Sequence, residues 1–424
     1  MEKVTDNAAE NATAEETAAA AEAVSDNTAA VPAKKHSLYW RILAVVCCII
    51  VVFFLLSFWK DFDDWYAEHI YPHLQYVFAH VTNLSPVAIG ELLMYLAAII
   101  LIITVVRSVI CAVRAILHKV KGREYPNGFR AYRRWMKFIL VVVVAVLWLY
   151  LFQWWIPFRG HVLGEEEHLT QFTLEELKYA RNTMLVTMNE ACLAQPRDAE
   201  GHVVYGDKEE IYGIVVEAMR KVSGEYPLLA GYYANPKEAL CSDFFEWMSI
   251  GGYTYPYTME ITVNRYISRR YFYVLSCHEA AHNKGYFKEN EAEFIAFRCS
   301  LASDDPRMIC EGCYNYFWDV DEALRVALIR QYGPTEGQMW YERLPQPVPQ
   351  LFDDSFDAAQ EAEEMYAAEE HPLENQFAET AADVAEVGWE TQDELLAENS
   401  YSGVTSLIIE YYAKQYREMK AGTE

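Results

Sequence analysis

The chain has 424 residues, of which 53% are hydrophobic and 14% are aromatic, and its formal net charge is −26. This apolar fraction excludes a chain that is disordered throughout, and nine cysteines are too few for a scaffold built from disulfides. Because phosphate contacts need clustered Lys and Arg, the acidity argues against a nucleic-acid partner.

The first 37 residues are rich in Ala, Glu, Asn and Thr and have almost no large apolar side chains. Such a segment cannot bury enough surface to offset the entropy lost on ordering. We therefore predict that residues 1–37 are a disordered, acidic tail.

Three apolar runs follow, and together they predict a membrane module over residues 38–159. The first, at about 42–59, is long enough to cross the hydrocarbon core as a helix. The second, at about 87–106, and the third, at about 138–156, reach that length if their few polar residues lie near an interface. The lipid bilayer is therefore a predicted partner.

The distribution of Lys and Arg predicts the orientation of these spans. Three basic residues, Lys34, Lys35 and Arg41, lie close before the first span, and nine lie between the second and the third, whereas Lys60 alone lies between the first and the second. Cytoplasmic loops carry the excess of Lys and Arg. We expect a cytoplasmic N-terminus and second loop, and an extracytoplasmic location for the chain beyond about residue 157.

Two regions are predicted outside the cytoplasm. Residues 160–345 contain the chemically distinctive motifs and form the predicted catalytic domain. Residues 346–424 form an acidic, helical C-terminal extension, whose final apolar residues recur at helical spacing and are expected to pack on that domain.

The segment His278-Glu279-Ala280-Ala281-His282 is an HExxH pattern. On a helix, His278 and His282 share one face, so both imidazoles can reach one metal ion. Zn²⁺ is the predicted cofactor, because a zinc-bound water becomes acidic enough for a nearby carboxylate to take its proton. Glu279 is the predicted catalytic base.

The third ligand is expected from an acidic helix start that follows Gly285, a predicted helix stop. Glu289 and Glu293 are four residues apart and share a face, whereas Glu291 points elsewhere. We favour Glu289 as the ligand and Glu293 as the group that supports the site. Glu291 remains an alternative ligand, and a solvated acidic face remains the alternative to any ligand role.

An extended segment, Gly251–Thr258, precedes the motif by about twenty residues. A strand here could pair with a peptide substrate at a sheet edge. Tyr255, Tyr257 and Arg265 are candidates for binding substrate or stabilising an oxyanion, although a turn packed by tyrosines is equally consistent with the pattern.

The region beyond residue 160 has an even number of cysteines, which an oxidising compartment would allow to pair. Packed core thiols are the alternative, and the sequence does not determine a pairing. The six are Cys192, Cys241, Cys277, Cys299, Cys310 and Cys313.

Several segments resemble a bacterial membrane family known as domain of unknown function 3810, a group of predicted zinc metallopeptidases. They include HEAAHNKGYFKENEAEF, SIGGYTYPYTMEITVN, SPVAIGELL, WWIPFRG and ELLAENSYSGVTSLIIEYY. The family pattern HExxHxxGFxxExEAN differs here at Tyr286 and Glu293. The ExEAE stretch also resembles the ExxAD ligand motif of membrane-bound gluzincins, and this likeness falls on Glu289.

The resemblance implies a mainly α chain: three N-terminal transmembrane helices, then an extracytoplasmic α+β zincin-like metallopeptidase domain with a small edge-strand sheet. It also implies a bacterial plasma membrane location. We expect a zinc metalloendopeptidase that cleaves an extracytoplasmic or envelope protein or peptide. The alternative is a zinc-binding envelope scaffold without catalysis. The sequence does not determine the substrate or the oligomeric state.

Overall fold

The structure is a computed structural model that describes residues 38–122, 126–160, 163, 172–395 and 403–422. The predicted disordered tail, residues 1–37, lies outside these ranges. The described chain is mainly helical, as expected, and contains a three-stranded sheet.

In the part of the chain that the structure describes, three helices are long and apolar enough to cross a membrane, which agrees with the three predicted spans. They are α1, α4 and α5, and two shorter helices, α2 and α3, connect α1 to α4. The bounds are α1 (Leu38–Leu56), α2 (Lys60–His69), α3 (Tyr71–Thr82), α4 (Ile89–Lys121) and α5 (Pro126–Tyr150). The last of these continues through a π-helical turn, Leu151–Trp155, and a final turn, Ile156–Arg159.

The ends of two spans differ from the sequence prediction. Helix α4 continues to Lys121 instead of ending near residue 106, and α5 begins at Pro126 instead of near residue 138. Hydropathy marks the apolar part of each helix, whereas helical hydrogen bonding continues through the polar turns beside it. Helix α4 ends where Gly122 adopts a left-handed conformation with φ 62°, which favours glycine.

The chain divides into two units, one up to Ile49 and one from Ile50 onward. The described part of the first unit is the beginning of α1. The second unit holds the end of α1, the other helices and the sheet.

The described residues of the domain that follows the membrane helices form ten helices and three short strands, with two 3₁₀ turns at Val222–Gly224 and Pro227–Leu229. In chain order the helices and strands are α6 (Leu174–Ala194), α7 (Lys208–Lys221), β1 (Lys237–Glu238), α8 (Ser242–Trp247), β2 (Gly252–Tyr255), β3 (Glu260–Val263), α9 (Arg269–Lys284), α10 (Glu289–Ala302), α11 (Pro306–Tyr332), α12 (Pro334–Tyr341), α13 (Pro349–Ala367), α14 (Glu374–Leu395) and α15 (Val404–Ala421).

The sheet has the order β1-β3-β2, so β2 is an edge strand. Strand β3 pairs with β2 in antiparallel register, with Thr254 opposite Ile261, and pairs in parallel with β1. All four residues of β3 are buried, which agrees with its central position.

Two hydrophobic cores hold the second unit together. The larger core joins α6, α7, α9, α10, α11 and α15; Phe297 lies at its centre, and Ile408 and Tyr412 of α15 are buried in it. The smaller core joins Tyr66 and Tyr71 of α2 and α3 to Phe152 and to Met259 and Phe287 of the domain. The smaller core therefore attaches the domain to the ends of membrane helices.

A buried ion pair attaches the sheet to α4. Lys237 Nζ lies 2.5 Å from Glu260 Oε1, and both side chains are buried. The Glu260 carboxylate also accepts hydrogen bonds from the backbone N–H groups of Ile89 at 2.9 Å and Gly90 at 2.6 Å. Because the first N–H groups of a helix have no partner within it, this carboxylate satisfies and stabilises the start of α4.

Candidate metal centre

The HExxH pattern lies on α9, and most residues of this helix are buried. The helix begins after Ser268, whose hydroxyl accepts a hydrogen bond from Tyr271 N at 3.3 Å, and it ends at Gly285, whose φ is 114°. His278 and His282 are one turn apart and their rings are in edge-on contact, with centroids 4.5 Å apart. The local sequence therefore aligns both imidazoles along one face.

Glu289, the first residue of α10, faces both imidazoles. Its Oε2 lies 3.4 Å from His278 Nε2 and 3.4 Å from His282 Nε2. Among the residues that the structure describes, His278, His282 and Glu289 are the group of three whose ligand atoms lie within 4.8 Å of one another. The tight turn at Gly285 reverses the chain and brings the two helices together.

The geometry of this triad fits a zinc ion. Two nitrogens and one carboxylate oxygen are a common ligand set for catalytic zinc, and two ligands bound tetrahedrally at about 2.05 Å lie about 3.3 Å apart. The 3.4 Å separations match that value. Oε2 of Glu289 is buried and makes no hydrogen bond to the described residues, so it is available as a ligand.

Hydrogen-bond acceptors lie behind both histidines. His282 Nδ1 lies 2.8 Å from the carbonyl oxygen of Tyr286, so a proton on Nδ1 is donated there and Nε2 retains its lone pair. His278 Nδ1 lies 3.5 Å from Glu293 Oε1, and the Tyr316 hydroxyl donates to Glu293 Oε2. Glu293 thus lies where the sequence analysis placed a supporting group.

Glu279 lies beside the triad and is held by the edge strand. The Thr254 hydroxyl donates to Glu279 Oε2 at 2.8 Å, and the Glu279 side chain is buried. A Cβ at Gly252 would lie 2.9 Å from both Cγ and Oε1 of Glu279, so glycine leaves the space that this carboxylate occupies. Burial raises the pKa of Glu279, which favours its role as a proton acceptor.

The other predicted site residues have other contacts. Glu291 Oε1 faces Lys288 Nζ at 3.4 Å. The Tyr255 ring occupies the space above Gly90, and Arg265 pairs with Glu369 at 3.3 Å. The carbonyl of Tyr257 accepts a hydrogen bond from Gln153. The structure thus brings together the predicted ligands and Glu279. Among the oxyanion candidates, it pairs the Arg265 side chain with Glu369 and packs the Tyr255 ring against Gly90.

Sequence reasoning missed four residues that position the site. Thr254 and Gly252 lie on alternate positions of one strand, so the strand period of two could have placed both on the face of Glu279. Tyr316 and Asn283 carry no such signal, because each finds its partner only through the packing of distant elements. The nine cysteines are all free thiols in the structure.

The chain matched no protein in a comparison with curated proteins and no structure in a comparison with solved structures. A family model described as "Protein of unknown function (DUF3810)" matches residues 66–379, which is well over half of the chain and includes the triad, Glu279 and the sheet. The chain therefore belongs to this family.

Proposed function

We propose that the protein is a membrane-anchored zinc metallopeptidase that cleaves peptide bonds of an extracytoplasmic or envelope protein or peptide. The observation that carries this proposal is the arrangement of Glu279. A carboxylate that is not part of the triad is held beside it by Thr254, and a structural zinc site needs ligands but no such base.

The roles of the residues follow from their positions. His278, His282 and Glu289 would hold the zinc ion, which supplies Lewis acidity that polarises the scissile carbonyl and makes water more acidic. Glu279 accepts the proton of the attacking water, and Thr254 fixes the direction of its carboxylate. The edge strand β2 offers backbone groups that can pair with an extended peptide.

The proposed location is the plasma membrane of a bacterium, with the metal domain outside the cytoplasm. It is supported by the three apolar helices and by the excess of Lys and Arg before α1 and between α4 and α5. The zincin-like character of the domain is supported by the pairing of an HExxH helix with an adjacent edge strand.

The test uses the full-length protein purified in detergent and its Glu279→Gln variant. We expect about one zinc per chain in both proteins, and loss of proteolysis in the variant alone. Proteolysis is measured by comparing fragments in membranes from cells that produce either form. Absence of zinc from the wild type would contradict the proposal.

A scaffold that binds zinc without catalysis predicts a different result. In that case both proteins contain zinc and the two membrane fractions yield identical fragments. A Glu291→Gln variant is the matched control. Glu291 lies on α10 together with Glu289, but its side chain faces Lys288.

A further inference from the structure

The motif helix α9 is hydrogen-bonded directly to helix α3, which together with α2 connects two candidate membrane helices. Asn283 follows the ligand His282, and it receives hydrogen bonds from Tyr71 Oη at 2.9 Å and Gln75 Nε2 at 2.7 Å. All three side chains are buried. The motif helix therefore ends against α3 without an intervening layer.

Another part of helix α3 is apolar and exposed. Val77 and Val81 are 56% and 59% exposed, and Leu84, just beyond the helix, is 85% exposed. Their spacing aligns them along one stripe. A short helix that joins two membrane spans and exposes an apolar stripe is suited to lie in the bilayer interface. The motif helix α9 packs against this helix, α3.

The end of the third candidate membrane helix also contacts the site region. Phe287 lies between the ligands His282 and Glu289, and its ring contacts Trp154 in the π-helical turn at 4.9 Å between centroids. The same ring contacts Tyr71 at 5.0 Å. The chain that connects the two ligand helices thus packs on the end of the third span.

The edge strand is attached to the same region. A Cβ at Gly90, in the first turn of α4, would lie 2.3 Å from the Tyr255 ring at the end of β2. Gln153 of the π-helical turn donates to the Tyr257 carbonyl at 3.4 Å. The strand that borders Glu279 therefore ends on two membrane helices.

From these contacts we infer that the substrate is the segment of another membrane-spanning protein that lies directly beside its own membrane helix. The inference rests on the proposed peptidase function. The end of β2 touches α4 and the π-helical turn that continues α5, so a chain that leaves the bilayer beside these helices is close to the strand. An extended chain covers about 3.3 Å per residue, so about ten residues span on the order of 30 Å.

Confinement to the same membrane also favours such a substrate over a soluble one. A tethered segment has a high effective concentration at a site that it can reach, and this advantage falls as the connecting chain lengthens. We expect cleavage to be about tenfold or more efficient close to a span than at a distant, equally accessible position.

The experiment maps cleavage sites in membranes from cells that produce the full-length protein or its Glu279→Gln variant. New N-termini are chemically labelled and identified, and each site that requires Glu279 is measured along the sequence from the nearest membrane span. The sequence cleaved most strongly is then placed in a single-span reporter at about ten or about forty residues from the span, so that one connecting chain is about four times as long as the other.

We expect sites clustered beside membrane spans, and cleavage of the distant reporter that is weaker by about tenfold or more. Glu279-dependent sites in soluble proteins, or equal cleavage of both reporters, would overturn the substrate class and leave the peptidase function standing. If no site requires Glu279, the peptidase function and the substrate class both fail.

Discussion

Single residues of the site show how a short motif acquires its chemistry from its surroundings. Glu279 is buried and Glu289 is partly buried, and their partners differ. Burial raises the pKa of Glu279, whose partner is the neutral Thr254 hydroxyl. Burial opposes ionisation of Glu289 as well, but the two adjacent histidines hold the pKa of its carboxyl below its usual range. The two carboxyl groups therefore lie in different surroundings, as the proposed roles of proton acceptor and metal ligand require.

Replacing Glu293 by Gln tests the support behind His278. The Gln side chain keeps the volume but loses the negative charge that faces His278 Nδ1 at 3.5 Å. Supporting groups of this kind typically contribute about 10–100-fold to metal affinity, and we expect a loss of that size in competition with a chelator. Glu291→Gln serves as the matched control; a comparable loss there, with none for Glu293→Gln, would contradict the assignment.

Replacing Gly252 by Ala tests the space beside Glu279. The new Cβ would lie 2.9 Å from the Glu279 side chain, so the carboxylate must move. A displacement of about 1 Å can reduce catalysis about a hundredfold, and we expect that loss in the yield of Glu279-dependent fragments, with normal zinc content. Gly213→Ala is the control, because a Cβ there meets nothing within 4 Å. Unchanged proteolysis by Gly252→Ala would refute this role.

At the scale of elements, two buried carboxyl groups join segments that are far apart in the chain. Glu260 joins β3 to the start of α4. Asp63 of α2 joins the end of the third span, where Arg159 Nε lies 3.3 Å from Asp63 Oδ2. Arg159 also donates to the Ser57 carbonyl at 2.7 Å, so the ends of α1, α2 and the third span meet at one point.

Replacing Glu260 by Ala should destabilise the junction between sheet and membrane helix. It leaves Lys237 buried without its carboxylate and exposes the first N–H groups of α4. Removing one partner of a buried pair typically costs about 3–5 kcal/mol. We expect a matching fall in the thermal midpoint of the protein in detergent. Glu238→Gln, at a largely exposed pair with Lys208, should change stability by less than about 1 kcal/mol.

The pH dependence of stability should report on Asp63. Burial raises the pKa of Asp63 to about 6, with Arg159 lowering it and Asp64 raising it. A raised carboxyl pKa means that the folded state favours the protonated form, so this stabilisation is present below about pH 4 and is lost as pH rises through 6. Relative to Asp63→Asn, the wild-type thermal midpoint should fall between pH 4 and 7. The exposed Asp61→Asn variant should retain the wild-type dependence.

At the scale of the whole molecule, the charge distribution predicts the orientation. Twelve basic and six acidic residues lie within 38–160, whereas 19 acidic and three basic residues lie within 351–424. Nine of these twelve basic residues lie between residues 107 and 137, in the last part of α4, the first part of α5 and the segment between them. The net charge of −26 does not show this separation of basic and acidic segments.

An epitope-tag experiment tests that orientation. A tag inserted at Gly122, in the loop between α4 and α5, should be protected from external antibody and protease in intact spheroplasts. A tag after Glu424 should be accessible. The reverse pattern would place the metal domain in the cytoplasm, and permeabilised cells provide the control in which both tags are detected.

The sequence by itself determined the features that depend on neighbouring residues: three apolar runs, the helix that aligns His278 with His282, and the helix stop at Gly285. Hydropathy and helical spacing are local, so these features can be predicted without the fold. The positions of Glu289 and Glu293 relative to the histidines were open alternatives in the sequence, because they depend on how two helices pack.

Only the tertiary structure decided the contacts between distant segments. Thr254 reaches Glu279, Tyr316 reaches Glu293, and Glu260 binds the start of α4 through hydrogen bonds between residues far apart in the chain. Such contacts form because the two cores exclude water, so that each buried polar group needs a hydrogen-bond partner within the protein. No local sequence pattern predicts which partner that is. The same packing places the candidate metal site against the ends of the candidate membrane helices.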